Sequence, residues 1–242
     1  MSEVKSVGRI DVHTHLLPGV DDGCKTVEES IECATELVIA GYTHAFCTPH
    51  IWPTYKGVSR TSVPRWCDSL QSELRKAGVP LKLMPGGEMN LYAGVEKTPE
   101  EDIVPLALGK YMLVDMWAEK IPDFFEPAIR WLQGMGLTVI LAHPERMRAV
   151  QDRPEVVKQF KSMGILLQGN LQCFGDKPEA QTRQCAEHFL ANNEYFVLGS
   201  DTHNPQSMDV RMNGLKRAIE IVGDEKVNEL TVTNPRKFVS DL

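Results

Sequence analysis

Six short stretches of this chain end in residue types that bind metal ions, and they recur at the intervals expected of barrel strands. Nearly all of them close a run of apolar or β-branched residues, as the end of a buried strand would. In a parallel β/α barrel all strands end at the same face, so these stretches would meet in one shared site. The stretches are Asp11–His15, Thr48–His50, Gly86–Glu88, Val114–Asp115, Ala142–Pro144 and Ser200–His203.

The histidines are concentrated in these stretches. The chain has seven, and five of them lie there, which a scatter of surface histidines would not produce. His44 and His188 fall outside the pattern, and we expect structural or surface roles for them.

Strand-like and helix-like segments alternate along the chain, which predicts a parallel sheet. The predicted strands are Arg9–His15, Thr43–Pro49, Leu81–Glu88, Tyr111–Met116, Leu137–His143, Ile165–Asn170 and Tyr195–Asp201. The predicted helices are Val27–Ala40, Val63–Ala77, Phe124–Met135, Glu155–Met163, Pro178–Asn192 and Met208–Val222. In the first of these, Thr26 is a candidate N-cap and Gly41 a stop signal.

Seven strand–helix units in 242 residues favour a small barrel or a strongly curved sheet, with residues 1–242 as a single domain. An open doubly wound sheet is the competitor, but it would gather its ligands in one crevice. Candidate ligands close six of the seven strands, which requires a ring. Ile51–Arg60 is expected to be a loop over the site or an ordinary connection.

Composition excludes several classes of protein. No apolar run approaches the roughly 20 residues that span a bilayer, and Met1–Ser6 lacks the apolar segment of a signal peptide, so we expect a cytoplasmic protein without membrane insertion. A formal net charge of −7 argues against nucleic-acid binding.

The six cysteines form no CxxC pair, which indicates free thiols. In addition, no cysteine has an arginine six positions later, so the phosphate-binding loop of cysteine phosphatases is absent.

Within the candidate site, spacing brings pairs of ligands together. His13 and His15 are two residues apart on a strand and face the same side, and the same holds for Asp201 and His203. Asp115 ends an apolar run, where an uncompensated carboxylate would be costly. Asp21 and Asp22, taken alone, are typical of solvated loop carboxylates.

Together the candidates number nine, too many for one tetrahedral site. They suit two or three clustered divalent ions, and nitrogen and oxygen donors without thiolate favour Mn²⁺, Fe or Zn²⁺. The nine are His13, His15, Asp22, His50, Glu88, Asp115, His143, Asp201 and His203.

The order of motifs HxH, VDDG, TPH, GxE, a strand-ending carboxylate, AHPER and SDxHN resembles the PHP metallohydrolases, the polymerase and histidinol phosphatase superfamily. Within that superfamily, Asp11–Gly23 resembles the bacterial metal-dependent protein-tyrosine phosphatases of capsule and exopolysaccharide clusters. The match runs from about Arg9 to Asn204. It implies a distorted seven-stranded (β/α)7 barrel of the PHP type with a trinuclear site, in which Mn²⁺ is the expected metal.

The resemblance also implies roles for individual residues. One metal would be held by His13, His15, Glu88 and Asp201, a second by Glu88, Asp115 and His143, and a third by Asp22, His50 and His203. Glu88 would bridge the first two. Arg146 matches a family arginine near the phosphate, and Arg211 is carried over for an arginine that follows the last motif. Asp201 or a site histidine would act as general acid.

Three positions depart from the family pattern. Asp115 stands where the phosphatases have glutamate, which leaves the geometry of the second metal open. Ile51 replaces a second histidine after Thr-Pro-His, and Arg211 is displaced along the chain.

The reaction expected from this resemblance is the hydrolysis of phosphotyrosine by a metal-bridging hydroxide. The phosphotyrosine would lie in the protein tail of a tyrosine kinase of polysaccharide assembly. Alternatives are a small-molecule PHP phosphatase for histidinol phosphate or a nucleotide, an amidohydrolase, and a non-catalytic metal-binding protein. Asp115 occupies the place where amidohydrolases carry a carbamylated lysine, which counts against that alternative. The oligomeric state does not follow from the sequence.

Overall fold

The computed structural model describes residues 8–117, 119–177 and 179–239 of the chain. The predicted alternation of strands and helices is confirmed in this part. Two sequence-based predictions concern residues outside this part of the chain. They are the lack of a signal peptide, which rests on Met1–Ser6, and the start of a helix at Pro178. The strands are β1 (Arg9–Thr14), β2 (Tyr42–Cys47), β3 (His50–Ile51), β4 (Lys82–Pro85), β5 (Glu88–Asn90), β6 (Tyr111–Asp115), β7 (Thr138–Ala142), β8 (Leu166–Asn170) and β9 (Val197–Gly199).

Eight α-helices in the described residues connect and cover these strands. Short 3₁₀ turns complete several of the connections. The helices are α1 (Val27–Ile39), α2 (Ser62–Lys76), α3 (Phe125–Gly134), α4 (Arg148–Asp152), α5 (Val156–Ser162), α6 (Leu171–Gly175), α7 (Gln181–Ala191) and α8 (Met208–Asn228), which is interrupted at Gly223.

The described strands form two parallel sheets. One has the order β1-β2-β4, and the other has the order β3-β5-β6-β7-β8-β9. Backbone hydrogen bonds also join the segment after β9 to β1: the Asp201 amide donates to the His13 carbonyl, and the His15 amide donates to the Thr202 carbonyl, each at 2.8 Å. The residues that follow β9 therefore lie next to the C-terminal residues of β1.

Two of the predicted strands end early, and each is followed by a second short strand. Thr43–Pro49 ends at Cys47, since Pro49 has no amide hydrogen for a ladder, and pairing resumes in the second sheet at β3. Ile51 therefore belongs to a strand and not to the predicted loop. Leu81–Glu88 is broken at Gly86-Gly87. A Cβ atom on Gly86 would lie 2.8 Å from the Leu106 side chain, and one on Gly87 would lie 2.6 Å from Ile51, so close packing against neighbouring segments requires glycine there.

The predicted caps of the first helix are confirmed. The Thr26 hydroxyl accepts a hydrogen bond from the Glu29 amide at 3.3 Å, which defines the start of α1. Gly41 has a φ of 88° and directs the chain from the end of α1 into β2. The apolar face of the helix, including Cys33 and Leu37, is buried against the sheet.

None of the helices in the described part of the chain combines the length and the hydrophobicity that crossing a bilayer demands.

Candidate metal centre

A cavity of about 350 Å³ opens where the parallel strands end. Most of the candidate residues predicted from the sequence line it, and His13 and His15 form its buried floor. His44 and His188 do not line it, and neither does Ile51, whose side chain is in the hydrophobic core. The predicted residues along the cavity wall are Asp22, His50, Glu88, Asp115, His143, Arg146, Asp201, His203 and Arg211.

Four donor atoms converge at the floor of the cavity. Nε2 of His13 and Nε2 of His15 are 3.1 Å apart. Oε2 of Glu88 lies 3.3 and 3.5 Å from these two nitrogens, and Oδ1 of Asp201 lies 3.4 Å from each of them. His13, His15 and Glu88 form a tight donor group, with one atom from each within 4.8 Å of the others, and Oδ1 of Asp201 approaches it from the histidine side. Imidazole nitrogens and carboxylate oxygens at this spacing can bind one divalent ion.

A second group of donors lies beside the first and shares His15 with it. One atom from each of His15, Asp22, His50 and His203 falls within 4.8 Å of the others. Oδ1 of Asp22 is 3.2 Å from Nε2 of His50 and 3.6 Å from Nε2 of His203. The side chain of Asp22 is half exposed, so this group extends from the floor at His15 to the edge of the cavity, and Asp22, His50 and His203 are its rim group.

Glu88 connects the two groups and also reaches a third region. Its Oε1 lies 3.1 Å from Nε2 of His143, and its Oε2 lies 2.8 Å from Nδ1 of His50. That nitrogen and Oε2 are not aligned for a hydrogen bond, and both are buried without another hydrogen-bond partner. An imidazole nitrogen and a carboxylate oxygen that face each other without a hydrogen bond are candidates for binding a common cation.

Asp115 faces the same cavity but is held differently. Its Oδ1 accepts a hydrogen bond from Asn90 at 3.1 Å, and its Oδ2 is buried without a partner. Burial and the nearby Glu88 carboxylate raise the pKa of Asp115 to about 7. Neither Asp115 nor His143 belongs to the two tight donor groups found among the described residues. The ligands predicted for the second metal are therefore the least closely gathered of the three sets.

The electrostatics of the floor favour charged imidazoles beside ionised carboxylates. Burial opposes this, but Glu88 and Asp201 raise the pKa of His13 above its ordinary value. Conversely, burial would raise the pKa values of Glu88 and Asp201, yet His13 and its neighbours hold both well below the usual range. Protons on the histidines thus supply the positive charge between the carboxylates, and a bound metal ion would displace these protons.

Two further residues orient the floor histidines. Nδ1 of His13 lies 2.9 Å from Oε1 of Gln168, and Nδ1 of His15 lies 2.7 Å from Oδ2 of Asp21. In both rings Nε2 is thereby directed at the donor group. The interpretation of Asp21 as a solvated carboxylate is wrong, because its turn folds inwards and buries it. A side chain at Gly23 would lie 2.2 Å from the His15 carbonyl, so only glycine permits this turn.

Asn170 is a third residue that the sequence did not indicate. It is fully buried, and its side-chain nitrogen Nδ2 donates a hydrogen bond to Oδ2 of Asp201 at 2.8 Å. Nη1 of Arg146 also donates to Oδ2, at 3.1 Å. One carboxylate oxygen is thus held by protein donors, while Oδ1 faces the histidines.

The two predicted arginines have different surroundings. Arg146 is partly exposed, and its guanidinium carbon lies 4.8 Å from the ring centre of Trp117. Arg211 is buried and donates to the backbone carbonyls of Ser200, Asp201 and Ser207. It therefore holds the segment that carries Asp201, and a role in binding phosphate remains a prediction for it.

Strained backbone occurs at two of the site residues. His143 has a φ of 34° and Asp201 a φ of 54°, both in the left-handed region that residues other than glycine rarely adopt. Such conformations cluster at functional sites, where surrounding contacts impose them.

A parallel α/β fold with imidazole and carboxylate donors gathered at the strand ends is the arrangement of metal-dependent hydrolases. A family model described as "Capsular polysaccharide synthesis, CpsB/CapC" matches residues 9–240, and the chain belongs to this family.

Relatives and solved structures agree with this assignment. The chain is 29% identical over 210 residues to the tyrosine-protein phosphatase YwqE of Bacillus subtilis, covering 83% of each protein. It is 28% identical to the tyrosine-protein phosphatase CpsB of Streptococcus agalactiae, over 96% of this chain and 98% of the relative.

A crystal structure from work on YwqE and Streptococcus pneumoniae CpsB, described as metal-dependent tyrosine phosphatases, superimposes with a TM-score of 0.85. Sequence identity to it is 26%, over 93% of this chain and 92% of that one. The phosphotriesterase homology protein of Escherichia coli shares the fold alone, with a TM-score of 0.60 and 11% identity over 96% of this chain and 98% of that one.

Proposed function

We propose that this protein is a metal-dependent protein-tyrosine phosphatase that removes phosphate from the phosphotyrosine-containing tail of a tyrosine kinase of polysaccharide assembly. The observation that carries the proposal is the convergence of nine nitrogen and oxygen donors with Arg146 around one cavity. The names of the relatives support phosphotyrosine as the reacting group, and the description of the family supports a place in capsular polysaccharide synthesis. The kinase tail is part of the proposal.

The donors present fit two or three divalent ions. His13, His15, Glu88 and Asp201 would hold the first, Glu88, Asp115 and His143 the second, and Asp22, His50 and His203 the third. The absence of thiolate from these sets favours Mn²⁺, Fe or Zn²⁺. When bound, such ions supply Lewis-acid activation of water and of the phosphoryl group. We further propose that the two sheets together form one distorted seven-stranded barrel, in which each divided strand counts once.

The charge balance explains why an acidic protein would attract a phosphate. Three divalent ions would outweigh the four carboxylates of the site, Asp22, Glu88, Asp115 and Asp201, and leave the cavity positive. Arg146 adds a guanidinium that stays positively charged at the cavity wall, and this planar group can donate hydrogen bonds to two phosphoryl oxygens at once.

The protein's own groups suit an aryl ester. A phenolate leaving group has a conjugate acid pKa of about 10, so it departs with little help from a proton donor. The depressed pKa of Asp201 and its contacts with Asn170 and Arg146 make it better suited to binding a cation than to donating a proton. Asn170 and Arg146 would keep its Oδ1 directed at the donor group.

The test uses purified protein, a phosphotyrosine peptide, histidinol phosphate and a nucleotide. We expect preferential hydrolysis of the peptide, loss of activity with a chelator, recovery with Mn²⁺, and resistance to iodoacetamide, since all six cysteines are buried. Preference for histidinol phosphate or the nucleotide would favour the small-molecule alternative. Inactivation by iodoacetamide with the metal retained would exclude the metal-dependent mechanism.

A further inference from the structure

A second cavity, of about 290 Å³, adjoins the metal centre. The two cavities share three lining residues, Trp117, His143 and Arg146. The remaining wall of the second cavity includes the thioether side chains of Met116 and Met147. The two cavities therefore meet at these three residues, and a group bound at the metal centre lies next to a space with an aromatic ring and two methionines.

Trp117 stands out among the residues around this space. Its relative exposure is 59%, whereas Met116 and Met147 beneath it are each 4% exposed. Trp117 therefore presents an accessible aromatic surface beside the second cavity, against which another ring can pack. The ring is also anchored, because the guanidinium of Arg146 lies 4.8 Å from its centre and donates to Asp201 on the other side.

The other tryptophan at the metal centre is already engaged. The ring of Trp52 stacks on His50 with a centroid distance of 4.2 Å and an angle of 27° between the planes. Tyr55 packs against Trp52 as well, at 5.8 Å. Trp117 also has ring neighbours, Arg146 at 4.8 Å and His143 at 6.5 Å. Its larger exposed fraction makes it the better placed of the two to receive a further ring.

We propose that the second cavity is the subsite for the aromatic ring of the phosphorylated residue, with Trp117 as its platform and Met116 and Met147 as its base. The inference rests on the proposed phosphatase function and adds a source of selectivity for aryl over alkyl phosphates. An aromatic ring gains from offset or edge contacts with an indole and from contacts with sulfur, and a serine phosphate offers neither.

The experiment compares Trp117→Ala, Trp117→Phe and the wild type, all loaded with metal. Phenyl phosphate and a phosphotyrosine peptide are the substrates, and inorganic phosphate is the competitive inhibitor. Ile39→Ala is the control, because Ile39 is 73% exposed on α1 and lines neither cavity. Metal content of every variant is measured by elemental analysis.

We expect Trp117→Ala to raise KM for both substrates by roughly tenfold, the effect of losing an aromatic contact. The inhibition constant of phosphate should change by less than about twofold, since the ring is absent from that ligand. Trp117→Phe should retain most of the affinity, and Ile39→Ala should equal the wild type.

Three results would overturn the inference. The first is an unchanged KM in Trp117→Ala. The second is an equal weakening of inhibition by inorganic phosphate, which would mean that Trp117 only supports Arg146. The third is a raised KM for the peptide with an unchanged KM for phenyl phosphate. A wild-type enzyme inactive on both aryl phosphates would instead refute the proposed function itself.

Discussion

Oδ2 of Asp21 lies 2.7 Å from Nδ1 of His15 and also accepts the backbone amide of His50 at 3.0 Å. One buried carboxylate therefore positions a floor histidine and the backbone of a rim histidine together. Burial would raise the pKa of Asp21, but His15 and the backbone amides lower it to about 2, so it is ionised near neutrality. Its charge favours Nδ1–H on His15 and leaves Nε2 free to bind a cation.

Asp21→Asn should weaken metal binding while the chain still folds. The amide keeps the shape of the side chain but removes its charge, and loss of such an orienting carboxylate lowers metal affinity by roughly 10- to 100-fold. Titration calorimetry with Mn²⁺ on metal-stripped protein measures this directly. Asp68→Asn, at an exposed position on α2, is the matched control. Wild-type affinity in Asp21→Asn would remove this residue from the site.

The importance of Asp21 could not be read from the sequence, although that of the ligands could. The spacing of His13 and His15 on a strand determines which face they share, and the common C-terminal edge of parallel strands gathers the rest. In Asp21-Asp22, by contrast, only the path of the turn decides which carboxylate is buried. The structure buries Asp21 and leaves Asp22 half exposed at the rim.

Other parts of the site depend equally on tertiary structure. Gln168 and Asn170 occupy a strand without any metal-binding motif, and their contacts with His13 and Asp201 arise from the packing of neighbouring strands. The division of two strands at Pro49 and Gly86-Gly87 is visible in the sequence only as a local signal. That pairing resumes in a different sheet follows from how the two sheets pack in the folded chain.

Glu88→Ala should remove more metal than Asp22→Ala. Glu88 is fully buried and contacts His13, His15, His50 and His143, so its loss affects every donor group. Asp22 is half exposed and pairs with His50 and His203, which both belong to the rim group. Elemental analysis and turnover of both variants provide the comparison. Equal metal loss would contradict the bridging role of Glu88.

Arg146→Ala should lower turnover and leave the metal content unchanged, because Asn170 still donates to Oδ2 of Asp201 and holds that ligand in place. Arginine does not bind a cation, but removing one donor to a developing phosphoryl charge costs about 2–4 kcal/mol, or roughly 30- to 1,000-fold in kcat. Arg130→Ala, on the exposed face of α3, controls for the loss of a surface charge. Native rates with native metal content would assign Arg146 to supporting Asp201 alone.

Glu145→Gln should make the protein more stable at alkaline pH relative to the wild type. Glu145 is fully buried. Its Oε1 accepts a hydrogen bond from the backbone amide of Asn170 at 2.7 Å, and its Oε2 has no hydrogen-bond partner. Burial raises its pKa to about 7, against about 4.3 in an unfolded chain. Between these values the unfolded chain has lost the proton that the folded protein keeps, so the stability of the wild type falls as pH rises from about 4 to about 7 and levels off above that.

Glutamine accepts the same backbone amide and does not titrate, so the variant lacks this loss. The free energy of unfolding of the variant relative to the wild type should therefore increase between pH 5 and pH 8, by at most about 3 kcal/mol. Denaturant titrations of metal-stripped protein at both pH values measure this difference, and taking the difference cancels the titration of Asp115 and the histidines. Glu225→Gln, at an exposed position in α8, should give the same difference at both pH values. If Glu145→Gln behaves in the same way, the folded protein does not hold a proton on Glu145.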